Sequence, residues 1–363
     1  MEISFNPSQG TVGNSTGEIL AGSHEFYMRR CLQLAALAQG HTSPNPMVGA
    51  VIVYNGRIIG EGYHRCCGEA HAEVNAINSV RDKSLLTKST LYVSLEPCSH
   101  YGKTPPCCEL IISQHIPRVV VGCTDPFPQV SGRGINRLRE QGIEVITGIL
   151  EDECRALNRF FMTFQEKGRP YIILKWAQSA DGFIDRHRDD SEPPTILSDT
   201  VTRLWAHRLR ATCDAILVGS RTAIADNPSL TTRYWSGKNP LRIAIDRKGS
   251  IPANAHILDG TAPTLIVGRC DSPAVDLLPL SPEDDAIKAL IPELVRRKIQ
   301  SLVVEGGAHL LQSFIDAQLW DEARIETTPL LLHEGIAAPY IKGREMQINV
   351  HSCGRYTTIM AHR

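Results

Sequence analysis

The sequence predicts two α/β domains of different type in tandem. Strand-like runs alternate with helix-like runs along nearly all of the chain, the pattern of mixed sheets covered by helices. The 363 residues are long for one hydrophobic core and comfortable for two. A histidine–glutamate pair and a cysteine pattern mark the first half and have no counterpart in the second, so the halves are not repeats.

Residues 1–23 are rich in Ser, Gly, Thr and Asn and read as a loose N-terminal extension. From His24 the pattern becomes helical through MRRCLQLAALAQG (28–40), closed by Gly40. GAVIVYNGRIIGEGYH (49–64) reads as a hairpin with Asn55-Gly56 as its two-residue turn. His71 opens a second helix, on which Val74 and Ile77 fall on one face. TLYVSLE (90–96) alternates as a strand, RVVVGCTDP (118–126) reads as a buried strand, and INRLREQGIEVITG (135–148) as a helix leading into another strand.

A domain boundary is expected after LNRFFMTFQEKGRP, near Gly168 to Pro170, which divides the chain into 24–168 and 169–363. Beyond it, strands are expected at YIILKWA, DAILVG, LRIAID, TLIVG and SLVVE, and helices at TRLWAHRLRA, near AIKALIPELVRRK and at HLLQSFIDA.

Composition narrows the function classes. Hydrophobic content of 42% and charged content of 21% are ordinary for a soluble globular protein. A net charge of −1 gives no general attraction to nucleic acid or an anionic membrane. The eleven cysteines are an odd number clustered at Cys66, Cys67, Cys98, Cys107 and Cys108, which favours metal chemistry in a reducing compartment over a disulfide framework. The first twenty residues carry neither a basic start nor an apolar core, and no run approaches the ~18 apolar residues of a membrane span. A cytoplasmic protein is expected.

The chemistry concentrates in GEAHAEVNAI (68–77) and LEPCSHYGKTPPC (95–107). His71, Cys98 and Cys107 offer one imidazole and two thiolates, enough to hold zinc with its fourth position open for catalysis. His-x-Glu followed by Pro-Cys and a further Cys is the pattern of zinc-dependent nucleobase deaminases, in which Glu73 would handle the protons of the attacking water. Pro106 before Cys107 suits a helix start, and Cys98 falls at a strand-to-helix corner. Because His71 and Glu73 are only two apart, they converge on one ion only in the first turn of their helix. The competing reading is a closed structural site, with His64, Cys66, Cys67, His100 or Cys108 as fourth ligand. The glutamate beside the histidine and the proline before each ligand cysteine argue against it. Cys108 then merely adjoins a ligand, and Cys66 and Cys67 line the hairpin exit.

Eight residues separate the two ligand cysteines, not the two of cytidine and tRNA-adenosine deaminases. With SPNPMVGAVIV upstream, the stretch from His24 to about Gly148 resembles the deaminase domain of the bifunctional riboflavin-biosynthesis deaminase/reductase family, a cytidine-deaminase-like α/β/α sandwich. The resemblance implies zinc on His71, Cys98 and Cys107, with Glu73 as proton shuttle. It also implies hydrolysis of 2,5-diamino-6-(5-phosphoribosylamino)pyrimidin-4(3H)-one to the uracil with loss of ammonia. Asn45 in the SPNP turn is a plausible amide partner for the pyrimidine edge. His64, His100, Lys103 and Thr104 are further candidates for the ring or its phosphate, or else loop-stabilising and surface groups.

In the second half, SLVVEGGAHLLQSF is a strand, a Gly306-Gly307 turn and a helix whose N-terminus suits a phosphate, a weak signal when taken alone. No GxGxxG accompanies it, so a Rossmann site is not supported. Together with LKWAQSADGFI and LRATCDAILVGSRTAIADNPSLTTR, it resembles the reductase domain of the same family, which is dihydrofolate-reductase-like and uses NADPH to reduce the ribosyl group. That match implies NADPH beside Ala177, Ile196, Thr222, Asp226 and the run Gly307, Ala308, His309, Leu310, Leu311, Gln312 and Ser313. It places Lys175, Asp181, Arg210, Leu230, Arg233 and Glu305 around the substrate. Arg210 and Arg233 suit a phosphate because a guanidinium offers paired donors, with a surface ion pair as the alternative. Asp181-Gly182 is also an everyday turn pair. The charged stretch DRHRDDSEPP (185–194) does not map onto the family pattern.

Two active sites are therefore expected, acting on a small molecule with zinc and NADPH, in a homo-oligomer without nucleic acid or membrane partners. A deaminase with a degenerate reductase half is the second reading. A zinc-stabilised nucleic-acid-binding module is the third, disfavoured by neutral charge and an aromatic content of 6%.

Overall fold

The structure, a computed structural model, describes residues 22–99, 105–127, 131–189, 192–341, 347–350 and 356–360. The N-terminal extension and His100, Lys103 and Thr104 lie outside them, apart from Gly22 and Ser23.

The first domain runs α1 (His24–Ala36), β1 (Gly49–Tyr54), β2 (Arg57–Tyr63), α2 (Ala72–Ser79), β3 (Thr90–Leu95), α3 (Cys107–Ser113), β4 (Arg118–Cys123), α4 (Arg133–Glu140), β5 (Glu144–Thr147), α5 (Glu151–Leu157) and α6 (Arg159–Lys167). Its five strands are ordered β2-β1-β3-β4-β5; β1 is antiparallel to both neighbours and the rest are parallel. Asn55 and Gly56 both take positive φ, as a two-residue hairpin turn of this type requires.

Side chains alternate across the pleat, so each strand feeds two cores. Ala50, Ile52, Leu91 and Val93 meet α2, α3 and α4 on one face. Val51, Val53 and Tyr92 meet α1, Cys154 of α5 and Phe161 and Met162 of α6 on the other. The result is an α/β/α sandwich. α2 lies hard against β2: a Cβ on Gly62 would stand 2.3 Å from the Ala76 amide nitrogen, so only glycine allows this approach.

The second domain runs β6 (Tyr171–Gln178), β7 (Phe183–Asp185), α7 (Thr200–Thr212), β8 (Ala215–Gly219), α8 (Ser220–Ala225), β9 (Leu241–Asp246), β10 (Thr264–Gly268), β11 (Asp276–Pro279), α9 (Ala286–Arg296), β12 (Ser301–Glu305), α10 (Ala308–Asp316), β13 (Glu322–Thr327), β14 (Ile336–Ala337), β15 (Gln347–Val350) and β16 (Tyr356–Met360). Nine strands form one sheet, β11-β10-β9-β8-β12-β6-β13-β16-β15, in which β13–β16 and β16–β15 are the antiparallel pairs. Ile172, Leu174 and Trp176 pack toward α9 and α10, and Tyr171 and Ile173 toward α7. The chain steps outward from β8 to β11 and then returns to lay β12 between β8 and β6. Such a reversal of strand order opens a crevice at the carboxyl ends of the strands.

The expected strands and helices are present; the first helix ends at Ala36, before Gly40. α5, α6, α8, β7, β11, β13, β14, β15 and β16 were not anticipated. The domains touch through the loop before β1. Gln300, just ahead of β12, donates from Nε2 to the Pro44 carbonyl at 2.8 Å. Within the first domain, the Asn158 amide steadies the same loop at Met47, accepting from its N–H at 2.8 Å and donating to its carbonyl at 2.9 Å. No helix among the described residues is long and apolar enough to cross a membrane.

Candidate metal centre and ligand cleft

Each donor of the metal centre sits at the end of a secondary-structure element. His71 is the N-cap of α2 in extended conformation, and its ring is not spent on the cap. Cys98 follows β3, and Cys107 is the first residue of α3 behind Pro106. Their ligand atoms all lie within 4.8 Å of one another, the one such group among the described residues. His71 Nδ1 is 3.3 Å from Cys107 Sγ and 3.7 Å from Cys98 Sγ. The Cys107 N–H donates to Cys98 Sγ at 3.2 Å, and the Cys108 N–H to the Cys98 carbonyl at 3.2 Å.

The two thiols titrate as a pair. Hydrogen bonding from Cys107, then His71, brings Cys98 down to about 4, whereas sharing with Cys98 and burial push Cys107 up. Two sulfurs and an imidazole nitrogen so close together form a donor set suited to zinc.

Among the described residues, the other candidate ligands do not join this group. His64 is buried, and desolvation lowers its pKa toward the neutral form. Its Nδ1 lies 3.2 Å from the Ala70 carbonyl, which can only accept, so Nε2 is left to accept from the Asn45 amide at 3.2 Å. Its ring packs edge-on against His71 with centroids 5.4 Å apart. Cys108 is buried in the helix-covered core, and Cys66 and Cys67 are exposed. No closed four-ligand site is assembled among the described residues.

Glu73 lies in the first turn of α2, as the two-residue spacing demands, and is 3% exposed. Burial pushes its carboxyl up to about 7, with a smaller contribution from Cys98; a cation among the donors pulls it back down. Its interactions with Cys98, His71 and Cys107 set it beside the donor triangle.

The second domain holds a cleft of about 1440 Å³ at the carboxyl ends of β6, β8, β9 and β12. Lys175 and Ala177 reach it from β6, Thr222 and Asp226 from α8 and its end, and Arg210, Leu230 and the exposed Ile196 from the wall. Glu305, Gly307, Ala308, His309, Leu310, Leu311 and Ser313 supply the turn and the opening of α10. Gly306 and Gly307 have φ of 78° and 70°, and a Cβ on Gly306 would stand 2.8 Å from Thr222 Cγ2. Seven Lys or Arg against four Asp or Glu line the cleft, a balance suited to phosphorylated ligands.

At its floor Arg210 donates from Nη2 to Glu305 Oε2 at 2.8 Å, while Glu305 Oε1 and Arg210 Nε, both buried, have no hydrogen-bond partner. Burial alone would raise the Glu305 carboxyl, but Arg210 and Lys175 outweigh it and the net shift is downward.

Three expected residues are not among those that line the cleft. Asp181 accepts from Ser179 Oγ at 2.6 Å, from the Leu332 N–H at 3.2 Å and from the His333 N–H at 2.7 Å, which spends its carboxylate on closing a turn. Arg233 is exposed; its Nη1 donates to Thr231 Oγ1 at 3.2 Å and its N–H to His207 Nδ1 at 3.0 Å. Gln312 faces outward from α10 and exchanges bonds with the Tyr340 backbone.

The unmapped charged stretch instead reaches the cleft. Arg188 pairs with Asp185 at 2.6 Å and with Asp226, and donates to the Glu192 carbonyl at 2.9 Å and the Ala225 carbonyl at 3.2 Å. Its side chain is 7% exposed. No sequence motif announced it; five charges in six residues (185–190) was the available signal.

Comparison with known proteins agrees across both domains. The model of the cytidine and deoxycytidylate deaminase zinc-binding region matches residues 21–123, and that of the RibD C-terminal domain matches residues 170–358. The riboflavin biosynthesis protein RibD of Bacillus amyloliquefaciens is 42% identical over 337 residues, covering 89% of each chain. That of Escherichia coli is 37% identical, covering 85% of this chain and 88% of the relative. A solved diaminohydroxyphosphoribosylaminopyrimidine deaminase/5-amino-6-(5-phosphoribosylamino)uracil reductase of Thermotoga maritima superposes with a TM-score of 0.82 at 36% identity, covering 93% of this chain and 97% of the other. Acinetobacter baumannii RibD superposes at 0.83 with 30% identity, covering 94% and 99%.

Proposed function

The chain belongs to the family of bifunctional riboflavin-biosynthesis deaminase/reductases, and from that premise we propose that it carries two consecutive activities. The first is hydrolytic deamination of 2,5-diamino-6-(5-phosphoribosylamino)pyrimidin-4(3H)-one to 5-amino-6-(5-phosphoribosylamino)uracil. The second is NADPH-dependent reduction of the ribosyl group to the ribitylamino phosphate.

In the first domain His71, Cys98 and Cys107 hold zinc, which supplies the Lewis acidity that makes water a nucleophile near neutral pH. Glu73 takes a proton from the attacking water on its carboxylate and delivers it to the departing amine. His64 fixes the Asn45 amide by accepting from it, which leaves the Asn45 carbonyl oxygen and one N–H for the pyrimidine edge. The observation that carries this reading is the three-donor cluster with a buried glutamate in the first turn of the same helix.

In the second domain NADPH supplies the reducing equivalent. Thr222, Asp226 and the residues 307–311 and 313 border the cofactor, with Ala177 and Ile196 on the walls. Lys175, Arg210, Leu230 and Glu305 face the substrate, and the free Glu305 Oε1 is an acceptor for a substrate hydroxyl. Asp181, Arg233 and Gln312 are left out of this assignment for the positions described above. The same reading makes the protein a cytoplasmic homo-oligomer that acts on a small phosphorylated pyrimidine, without a nucleic-acid or membrane partner.

The test is to incubate the purified protein with the diaminopyrimidine phosphate, with and without NADPH, following ammonia and cofactor absorbance together. Ammonia in both samples with NADPH consumption in one is expected. Ammonia without NADPH consumption would reduce the second domain to a scaffold, and neither signal would overturn the proposal.

A further inference from the structure

Glu96 is a carboxylate 4% exposed at the end of β3, two residues before Cys98, and it takes no part in the chemistry described above. Four backbone N–H groups converge on it. Oε1 accepts from Gly134 at 2.9 Å and Ile135 at 3.3 Å; Oε2 accepts from Gly132 at 3.0 Å and Asp125 at 3.3 Å. Gly132, Gly134 and Ile135 are the cap and early residues of α4, which has no acidic residue in its own first turn. A helix start leaves N–H groups without intrahelical partners, and a carboxylate satisfies them and complements the positive end of the helix. Here that carboxylate arrives from a strand instead of from the cap position. The backbone follows it: a Cβ on Gly134 would stand 2.0 Å from the Pro97 carbonyl oxygen, so the chain just before Cys98 lies flush against the start of α4.

Cys98 is therefore gripped from both sides. α3 holds its sulfur and carbonyl through the N–H groups of Cys107 and Cys108, each at 3.2 Å. α4 holds the two residues before it through Glu96. Its sulfur stays within reach of His71 and Cys107 only while the end of β3 keeps this place between two helix starts.

We propose that Glu96 is a positioning residue of the metal centre: its carboxylate fastens the end of β3 to α4 and thereby holds the Cys98 sulfur in the donor triangle. This rests on the reading of His71, Cys98 and Cys107 as zinc ligands. Glu96→Gln keeps one acceptor oxygen but turns an NH₂ toward N–H donors, so half of the grip is lost. Outer residues that orient metal ligands typically change metal affinity by about 10–100-fold when replaced.

The experiment compares wild type, Glu96→Gln and a control, Leu138→Ala, which empties a core position of α4 without touching the carboxylate. Each full-length protein is titrated for zinc against a competing chelator, its cobalt-substituted form is examined for the thiolate charge-transfer band, and its melting temperature is recorded. We expect Glu96→Gln to weaken zinc binding at least about tenfold and to shift the cobalt band, while Leu138→Ala, at an equal or larger loss of melting temperature, keeps both. Wild-type affinity and band in Glu96→Gln, or a loss no greater than that of Leu138→Ala, overturns the proposal. Should Glu96→Gln yield no soluble protein, Glu96→Asp, which keeps the charge on a shorter arm, is judged by the same two standards. A wild type that takes up no zinc overturns both readings at once, whereas zinc-loaded wild type beside an unaffected Glu96→Gln overturns this one alone.

Discussion

The donors of the first domain lie within 4.8 Å of one another, on three element ends that a reader of the sequence can find by spacing. The cleft of the second domain spreads over about 1440 Å³ and draws on strands, turns and helix starts from Lys175 to Ile336. A metal centre demands donor atoms in one place and tolerates little displacement, so its function is concentrated in four side chains. A cleft for a dinucleotide and a phosphorylated sugar divides recognition among many contacts, most of which are individually small. The two regions should therefore respond differently to single replacements, and independently of each other.

The largest effects are expected in the first domain. Cys98→Ser should abolish zinc binding and deamination together. Glu73→Gln should retain zinc yet lower deamination by about 10²–10⁴-fold, the range of a lost general acid–base group. In both variants, NADPH oxidation with supplied 5-amino-6-(5-phosphoribosylamino)uracil should stay close to wild type. A comparable fall in that second rate would break the contrast between concentrated and independent sites.

Next comes the one place where the cleft is as concentrated as the metal centre. Arg210→Ala leaves the buried Glu305 carboxylate without its hydrogen-bonded partner. Removing one member of a buried pair costs ~3 kcal/mol, less the share that Lys175 compensates. Reductase kcat/KM should fall on the order of a hundredfold with deamination untouched. A loss of less than about threefold would mean that the pair is as dispensable as the rest of the wall.

A smaller effect is expected for Arg188→Ala. The variant frees the segment around Glu192 and uncovers Asp226, leaving a carboxylate beside the phosphorylated cofactor. KM for NADPH should rise about tenfold with kcat nearly unchanged, as for uniform binding contacts. A change confined to kcat would move Arg188 from cofactor binding to the chemical step.

What could be read from sequence follows the same division. Donors at element ends are announced by local signals: Pro106 before Cys107, the two-residue step from His71 to Glu73, and the strand that delivers Cys98. The hairpin was legible because Asn55-Gly56 has few other uses. The α/β character of the second half was legible from its apolar runs, and the Gly306–Gly307 turn from its strand–turn–helix setting. The rest depends on long-range partners. Asp181 belongs to a turn because residues 332 and 333 fold back onto it, and nothing near Asp181 in the chain says so. Arg233 and Gln312 sit in matching motifs yet turn toward Thr231 and Tyr340. Arg188 is buried by two aspartates, one of them 38 positions away. Glu96 was hidden for the same reason, since its four donors come from beyond the next strand.

The smallest expected effect tests the independence of the two regions itself. Gln300 stands at the start of β12, the strand that ends at Glu305, and its amide donates to the Pro44 carbonyl at 2.8 Å. Pro44 immediately precedes Asn45, whose amide nitrogen lies 3.2 Å from Nε2 of His64, the ring packed against His71. Through one hydrogen bond, then, the reductase domain supports a loop of the deaminase site. Gln300→Ala removes that donor and leaves the Pro44 carbonyl to water, at a cost near 1 kcal/mol. If the strain falls on the loop, deaminase kcat/KM should drop about fivefold, chiefly through KM, while reductase kcat/KM is unchanged. Equal losses in both activities would mean that the buried Gln300 side chain supports the second domain itself and not the loop alone. No loss in either would make the two sites neighbours without mechanical coupling at this contact.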